Sequence, residues 1–422
     1  MRWILTPLLL LIAAPAVAEE PETILLRPAQ VFDGIDPAPH IGWEVLVRGD
    51  RIVAAGPALT VPAGTRTIEL AGETLIPGMI EGHGHLFLHP YNEAKWDDQV
   101  LHEPLALRTA RAVVAARTTL MAGFTSGRDL GTEGAGYADV GLRQAIDQGI
   151  VPGPRLMVAT RAIVARGAYG PKGFEPGVVV PQGAEEASGA DEVVTAVRSQ
   201  IAAGADVVKL YGDYRRRAGE ESRATFSLAE LRAAVEAAHD AGRLVAVHTS
   251  TAEGMRRAIA AGADTIEHGY GGTPEIFAAM RDHGVVLCPT LAAADAVARY
   301  AGWDGVAPPP AGVLASRRAF GAALAAGVSI CAGGDVGVFA HGDNVRELEL
   351  MVAAGMTPAQ AMIAVTSRNA HAFHIADRVG AVRAGLLADL VGLAGDPTRR
   401  IDAARAIRFV MKGGQVVRHD QP

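Results

Sequence analysis

Six residues in the middle of the chain are of types that hold metal ions or move protons: His83, His85, Lys209, His248, His268 and Asp335. His83 and His85 stand two apart in the strand-like run TLIPGMIEGHGH. A period of two puts both imidazoles on one face, where they can reach a single cation. His248 in RLVAVHT and His268 in DTIEHG each offer one more nitrogen, and Asp335 at the end of VSICAGGD offers a carboxylate. A lone strand-end histidine is more often a hydrogen-bonded structural residue than a ligand; the set taken together points to a metal site. Imidazole with carboxylate suits zinc, and cobalt, manganese or nickel accept the same ligand types. Lys209 in DVVKLYG is the most diagnostic of the six. An ammonium facing a cavity that gathers cations is costly unless its charge is removed. Carboxylation of the neutral amine by carbon dioxide gives an anionic carbamate able to bridge two metals. The plainer alternative is an ion pair with a carboxylate such as Asp335.

The elements that must position these residues lie in residues 72–382. Eight strand-like runs, from TLIPGMIEGHGH to VSICAGGD, alternate for the most part with Ala-rich helical segments, several ended by Gly as a C-terminal cap should be. Eight β/α units imply an α/β fold, a (β/α)8 TIM barrel whose functional residues sit at the C-terminal ends of the strands. A doubly wound open sheet is the alternative, but no GxGxxG follows the first strand. The two ends of the chain are β-rich instead, with hairpin signals at RGDR and KGG. Residues 19–71 and 383–422 are expected to combine into one small β-sandwich.

The chain has 422 residues, 49% hydrophobic and 20% charged, with a net charge of −7. That is ample material for a large core, and it excludes a disordered tail protein. No long basic run accompanies the acidic balance, so nucleic acid is not an expected partner. Residues 1–18 combine Arg2, a short apolar segment and the site Ala16-Val17-Ala18, which reads as an export signal cut after Ala18. The expected location is periplasmic or secreted, with no stable membrane anchor after cleavage. Cys288 and Cys331 each fall in an apolar, β-branched run and read as buried small hydrophobes, a bridge between them being the lesser alternative.

His83-x-His85 after PGMIEG, Lys209, His248, His268 and Asp335 resemble, in order and type, the binuclear-metal amidohydrolase superfamily. Glu81-Gly82 replaces the usual Asp before the first His, a departure that leaves the ligands themselves in place. The resemblance implies one metal on His83, His85 and Asp335 and a second on His248 and His268, bridged by carboxylated Lys209 and a hydroxide. It implies that the hydroxide is the nucleophile and that Asp335 passes its proton to the leaving amine. Because deaminases of the superfamily typically use one metal and lack the lysine, Lys209 favours hydrolysis. Strings such as AIAAGADTIEHG and HGDNVRELELMVAAGMTPAQAMIAVT resemble the imidazolonepropionase-like, Xaa-Pro dipeptidase-like branch. ATRAIVARGAYGPKGFEP resembles exported bacterial amidases that cleave the Phe-amide of ochratoxin A, and departs from the glycine–histidine string commoner in the branch.

The expected substrate is therefore a small amide, a dipeptide or N-acyl amino acid with a hydrophobic leaving residue. Tyr211, His341, Tyr169 and Lys172 are the candidates to bind it. Arg215-Arg216-Arg217 could grip a carboxylate but reads better as a solvated loop. His89 and His102 fall in the first loop, where they could touch substrate, whereas His239, His283, His371 and His374 have blander helical readings. The same site could open a cyclic amide or a lactone, and a non-catalytic metal-binding relative is the reading from a different class. Ala-rich helices leave room for a homo-oligomer without requiring one.

Overall fold

Alternating apolar residues at the start of the chain need a partner face, and the end of the chain supplies it. The computed structural model describes residues 21–175, 177–217 and 219–420; the expected export signal over residues 1–18 lies outside them. One sheet runs, in order, through Gln415–His419, Ile407–Lys412, Leu390–Ala394, Arg66–Pro77, Thr23–Val31, Trp43–Arg48 and Arg51–Pro57, with His40–Ile41 paired beside Thr23–Val31. Thr23–Val31 and Arg66–Pro77 are parallel; the other pairs are antiparallel. Val391 lies opposite Ile76, so the two ends of the chain meet in one ladder. Leu26, Val45, Ile52, Leu390 and Phe409 bury together on this sheet. The KGG signal is a hairpin turn in which Gly413 and Gly414 take φ of 55° and 76°, a pair of positive values that glycine adopts without strain.

The middle of the chain supplies parallel strands. Met79–Gly84, Phe124–Asp129 and Arg155–Val158 make a three-stranded sheet. Glu185–Ala187, Ile163–Ala165, Val207–Tyr211, Leu244–Thr249, Thr265–His268 and Val286–Cys288 make a six-stranded one, in that order. The ladders thus form two sheets rather than one unbroken circuit. A backbone bond links their edges, Asp206 N donating to Val158 O at 2.8 Å, while Gly82 N donates to Ala332 O of the later run VSICAGGD at 2.9 Å. The run RLMVATRAI, read from sequence as one strand, divides into Arg155–Val158 and Ile163–Ala165. VSICAGGD is not a regular strand. Two glycines and a positive φ at Asp335 break its extension, leaving isolated bridges at Ile330 and Val336.

Helices cover the outside of these strands as the periodicity predicts. In Leu228–Asp240 an N-terminal capping box pairs Ser227 with Glu230, while Gly204 and Gly262 end their helices in the left-handed conformation. Val197, Leu231, Val235 and Ile259 turn inward onto Val208, Leu210, Val247 and Ile266. Each such side chain contributes about 1.5–3 kcal/mol by leaving water.

The cysteines correct the expectation. Cys288 and Cys331 are bonded to each other rather than being separate buried thiols. Val286–Cys288 and the 330–336 segment are neighbours, with Leu287 opposite Ile330, which brings the two Cα atoms to 4.8 Å, within disulfide range. Among the described residues no helix is long and apolar enough to cross a membrane.

Candidate functional site

Parallel strands end together, so residues far apart in sequence converge at their C-terminal ends. His83 lies in Met79–Gly84 and His85 directly follows it, Lys209 lies in Val207–Tyr211, His248 in Leu244–Thr249 and His268 at the end of Thr265–His268. Asp335 joins them from the irregular 330–336 segment, its N–H donating to His83 O at 2.8 Å. One metal-ligating atom from each of His83, His85 and Asp335 lies within 4.8 Å of the others. Asp335 Oδ1 is 3.2 Å from His85 Nε2 and 3.5 Å from His83 Nε2. The His268 ring centroid is 5.3 Å from that of His83 and 4.4 Å from that of His248. All six predicted residues are thus brought to one place.

Outer partners fix which nitrogen three of the rings offer. His83 Nδ1 pairs with Glu267 Oε2 at 2.8 Å, His85 Nδ1 with Gly131 O at 2.8 Å and His268 Nδ1 with Thr290 Oγ1 at 2.7 Å. A ring whose Nδ1 carries the proton presents the lone pair of Nε2, the form a metal takes. Burial pushes His268 down to about 4 and holds His83 and His248 well below the ordinary histidine range, so these rings are neutral. For His85 burial acts the same way, but the bond to Asp335 outweighs it and lifts the ring to about 9. Asp335 is held below the usual carboxylate range: burial raises it, and His83 and His85 more than reverse that.

Lys209 decides whether this set fits two metals. Its side chain is 0% exposed and its Nζ has no hydrogen-bond partner among the described residues, so the ion pair with Asp335 does not form. Burial lowers its basicity. An unpartnered amine of lowered basicity beside four imidazoles and a carboxylate is the chemistry that carboxylation requires, and His83, His85 and Asp335 together fit a divalent ion.

His83, His85, His248, His268 and Asp335 line a cavity of about 540 Å³, with Lys209 buried behind them. Tyr91, Tyr169, Tyr211, Tyr214 and Tyr270 line it together with Ala294, Val297, Ala298 and Val313. Of the four substrate-binding candidates, Tyr211 and Tyr169 line this cavity, whereas Lys172 and His341 are not among its lining residues. Lys172 Nζ lies 3.3 Å from Ala168 O, and His341 Nε2 lies 3.1 Å from Leu88 O. Arg215, Arg216 and Arg217 are all exposed, and Arg215 alone of the three lines the cavity. His89 sits between Glu93 and Glu103, and His102 is exposed.

Sequence reasoning missed the groups that hold the ligands. Arg128, fully buried, donates to Gly82 O at 2.6 Å and to Glu267 Oε1 at 3.0 Å, and its guanidinium lies 4.1 Å from the centre of the Phe373 ring. Glu81 accepts from the backbone N–H groups of His83 and Gly334 and from Asn344 Nδ2 at 2.7 Å; burial pushes it up to about 7. Its spacing of two and four from the histidines was a usable signal. Glu133 and Thr290 carried none.

The sequence model of the Amidohydrolase family matches residues 74–418, a span that includes every residue of the cluster. The chain belongs to the amidohydrolase family. This amidohydrolase is 28% identical to ochratoxinase of Aspergillus niger over 368 residues, covering 81% of this chain and 75% of that protein. A solved Xaa-Pro dipeptidase with methionine bound in its active site superposes with a TM-score of 0.84 at 28% identity, covering 94% of this chain and all of that one. A prolidase complexed with N-methylphosphonate-L-proline gives a TM-score of 0.80 at 25% identity, covering 94% of this chain and all of that one. The family and these relatives make the amidohydrolase a hydrolase acting on amide bonds.

Proposed function

We propose that this amidohydrolase is a binuclear metal enzyme that hydrolyses the amide bond of dipeptides or N-acyl amino acids, ochratoxin-type Phe amides included. The observation that carries the reading is the buried, unpartnered amine of Lys209 beside the four imidazoles and Asp335 that line the cavity. His83, His85 and Asp335 would hold one ion, His248 and His268 the other, with carboxylated Lys209 between them. Two divalent ions, zinc by ligand type, supply Lewis acidity and a water activated near neutral pH. Asp335, kept ionised by its histidine neighbours, takes the proton released on attack and returns it to the leaving nitrogen. Ala294, Val297, Ala298 and Val313 give the leaving residue an apolar wall, and Arg215 at the mouth offers a fork for its carboxylate. A cavity of about 540 Å³ suits a molecule of dipeptide size. The dipeptidase and prolidase relatives support that class, and ochratoxinase supports the aromatic amide.

In the same reading the parallel strands and the 330–336 segment make up a (β/α)8 barrel over residues 72–382, and the mixed sheet is the small β domain. The chain is exported through its first 18 residues, and the Cys288–Cys331 disulfide supports an oxidising compartment. The test is metal content by mass spectrometry beside a screen of dipeptides and N-acyl amino acids, with zinc and bicarbonate supplied. Near two metals per chain with release of a free amino acid is the expected result. Two metals with no amide cleaved overturns the substrate class, and no bound metal overturns the mechanism.

A further inference from the structure

One buried carboxylate in the cavity stands apart from the ligand cluster. Glu133 is 2% exposed, lines the cavity, and follows by two residues the Gly131 carbonyl that holds His85. Its Oε2 accepts from Tyr169 OH at 2.6 Å and from Trp96 Nε1 at 2.9 Å, and its Oε1 accepts from Tyr211 OH at 3.2 Å. These three donors are neutral. They orient the carboxylate without cancelling its charge, and among the described residues no lysine, arginine or histidine nitrogen lies within the 4.0 Å of an ion pair. A buried carboxylate left in that state favours a cation arriving from the cavity.

The tyrosines sharpen what kind of cation. A phenol has one proton, and Tyr169 and Tyr211 both spend theirs on Glu133, so their oxygens show the cavity lone pairs only. A substrate carboxylate would meet acceptors there, whereas an N–H donor would be accepted. The rings of Tyr169, Tyr211 and Tyr214 stand 4.7–5.9 Å apart, centroid to centroid, and their electron-rich faces already draw basic groups of the chain. Lys172 Nζ lies 5.6 Å and the Arg215 guanidinium 5.9 Å from the Tyr214 centroid, and Lys209 Nζ 5.4 Å from that of Tyr211, which leaves Tyr169, among the described residues, without a cation against it. Tyr211 also stacks on His248 with 4.4 Å between centroids, so these rings adjoin the reacting centre. A dipeptide whose scissile carbonyl lay at that centre would carry its α-amino group on the adjacent carbon, within the same part of the cavity.

We propose that Glu133, with the rings of Tyr169, Tyr211 and Tyr214, is an ammonium subsite for the free α-amino group of a dipeptide, and makes unblocked dipeptides the preferred substrates. This rests on the amide-hydrolase reading above and narrows it. The test uses the metal-loaded enzyme with L-alanyl-L-phenylalanine and N-isobutyryl-L-phenylalanine, which differ by an ammonium against a methyl and release the same phenylalanine. The wild type is expected to favour the alanyl compound by about tenfold or more in kcat/KM, the scale of a charged hydrogen bond. Glu133→Gln is expected to bring that ratio to within about threefold of one, whatever it does to the individual rates. Equal cleavage of the two compounds by the wild type overturns the subsite while the hydrolase reading stands. A tenfold ratio that survives Glu133→Gln overturns the assignment to Glu133. Failure to cleave either compound overturns the subsite, and the hydrolase reading falls only if the wider screen of dipeptides and N-acyl amino acids also shows no cleavage. The wild-type ratio decides the preference even if the variant does not fold.

Discussion

Glu267→Gln separates two jobs that one buried carboxylate performs. Glu267 is 0% exposed; one oxygen faces His83 Nδ1 at 2.8 Å, and the other accepts from Arg128 Nη2 at 3.0 Å and Thr265 Oγ1 at 2.5 Å. The substitution keeps the volume and removes the charge. Arg128 then remains buried with Gly82 O as a neutral acceptor, and breaking one side of a buried pair costs about 3–5 kcal/mol. At roughly 2 cal/mol/K per residue for unfolding, a chain of this size loses about 4–6 °C in Tm. Separately, His83 loses the carboxylate that orients its ring, which weakens metal binding by about 10- to 100-fold. The assay is a thermal scan with a chelator titration, on Glu267→Gln and on the double variant with Arg128→Met. The double variant recovers part of the Tm because no charge is left unpaired, but not the metal affinity. Wild-type chelator resistance in the double variant would refute the coupling between Glu267 and His83. An unchanged Tm in the single variant would refute the ion-pair reasoning.

Lys209→Ala and Asp335→Asn should each abolish amide hydrolysis, and only Lys209→Ala should also strip metal on gel filtration; an active Asp335→Asn enzyme removes Asp335 from proton transfer. Reducing Cys288–Cys331, which closes a separation of 43 residues, should cost about 4 kcal/mol by chain entropy, read as a lower Tm with reductant in wild type but not in Cys288→Ala/Cys331→Ala. Burial pushes Glu347 up to about 8 from an ordinary 4.5, although it accepts the N–H groups of Leu291 and Ala292. The folded chain therefore holds a proton that the unfolded chain has released between about pH 4.5 and 8, so this group lowers stability as pH rises through that window. Glu347→Gln removes the slope, and wild-type and variant Tm curves that stay parallel from pH 5 to 8 would contradict it.

The ligands were legible because strand periodicity and chain order carry them: His83 and His85 share a face by spacing alone, and Lys209, His248 and His268 each stand at or near the end of an apolar run. The helices were legible through their caps, as at Ser227 and Gly262. The pairing of Cys288 with Cys331 was not, because it depends on two runs 43 residues apart becoming neighbours. Glu267 escaped notice for a similar reason. It immediately precedes a ligand, and simple alternation would turn it away from the site. His268, however, has a φ of 74°, so alternation ends there and both residues serve the cluster. The hydroxyls of Tyr169 and Tyr211 show the same limit: sequence marks them as candidates to bind substrate, but only Glu133 determines that they accept rather than donate.

That turn at His268 belongs to a pattern. Glu133, Asp335 and Thr290 also have positive φ, at 49°, 64° and 49°; with His268 they are four of the seven described non-glycine residues that do. A left-handed conformation costs a residue with a Cβ about 1–2 kcal/mol, and glycine would avoid it. Glycine could not ligate, transfer a proton, hold His268 or accept from three donors, so each position keeps a side chain in a conformation that its backbone disfavours. The surroundings must then hold the turn. Asp335 is held by its N–H on His83 O, Thr290 by the contacts of its hydroxyl with His268 and Tyr270, and Glu133 by Trp96, Tyr169 and Tyr211. The bonds that orient the chemistry are therefore also the bonds that offset the strain, which ties the geometry of the site to the stability of its loops.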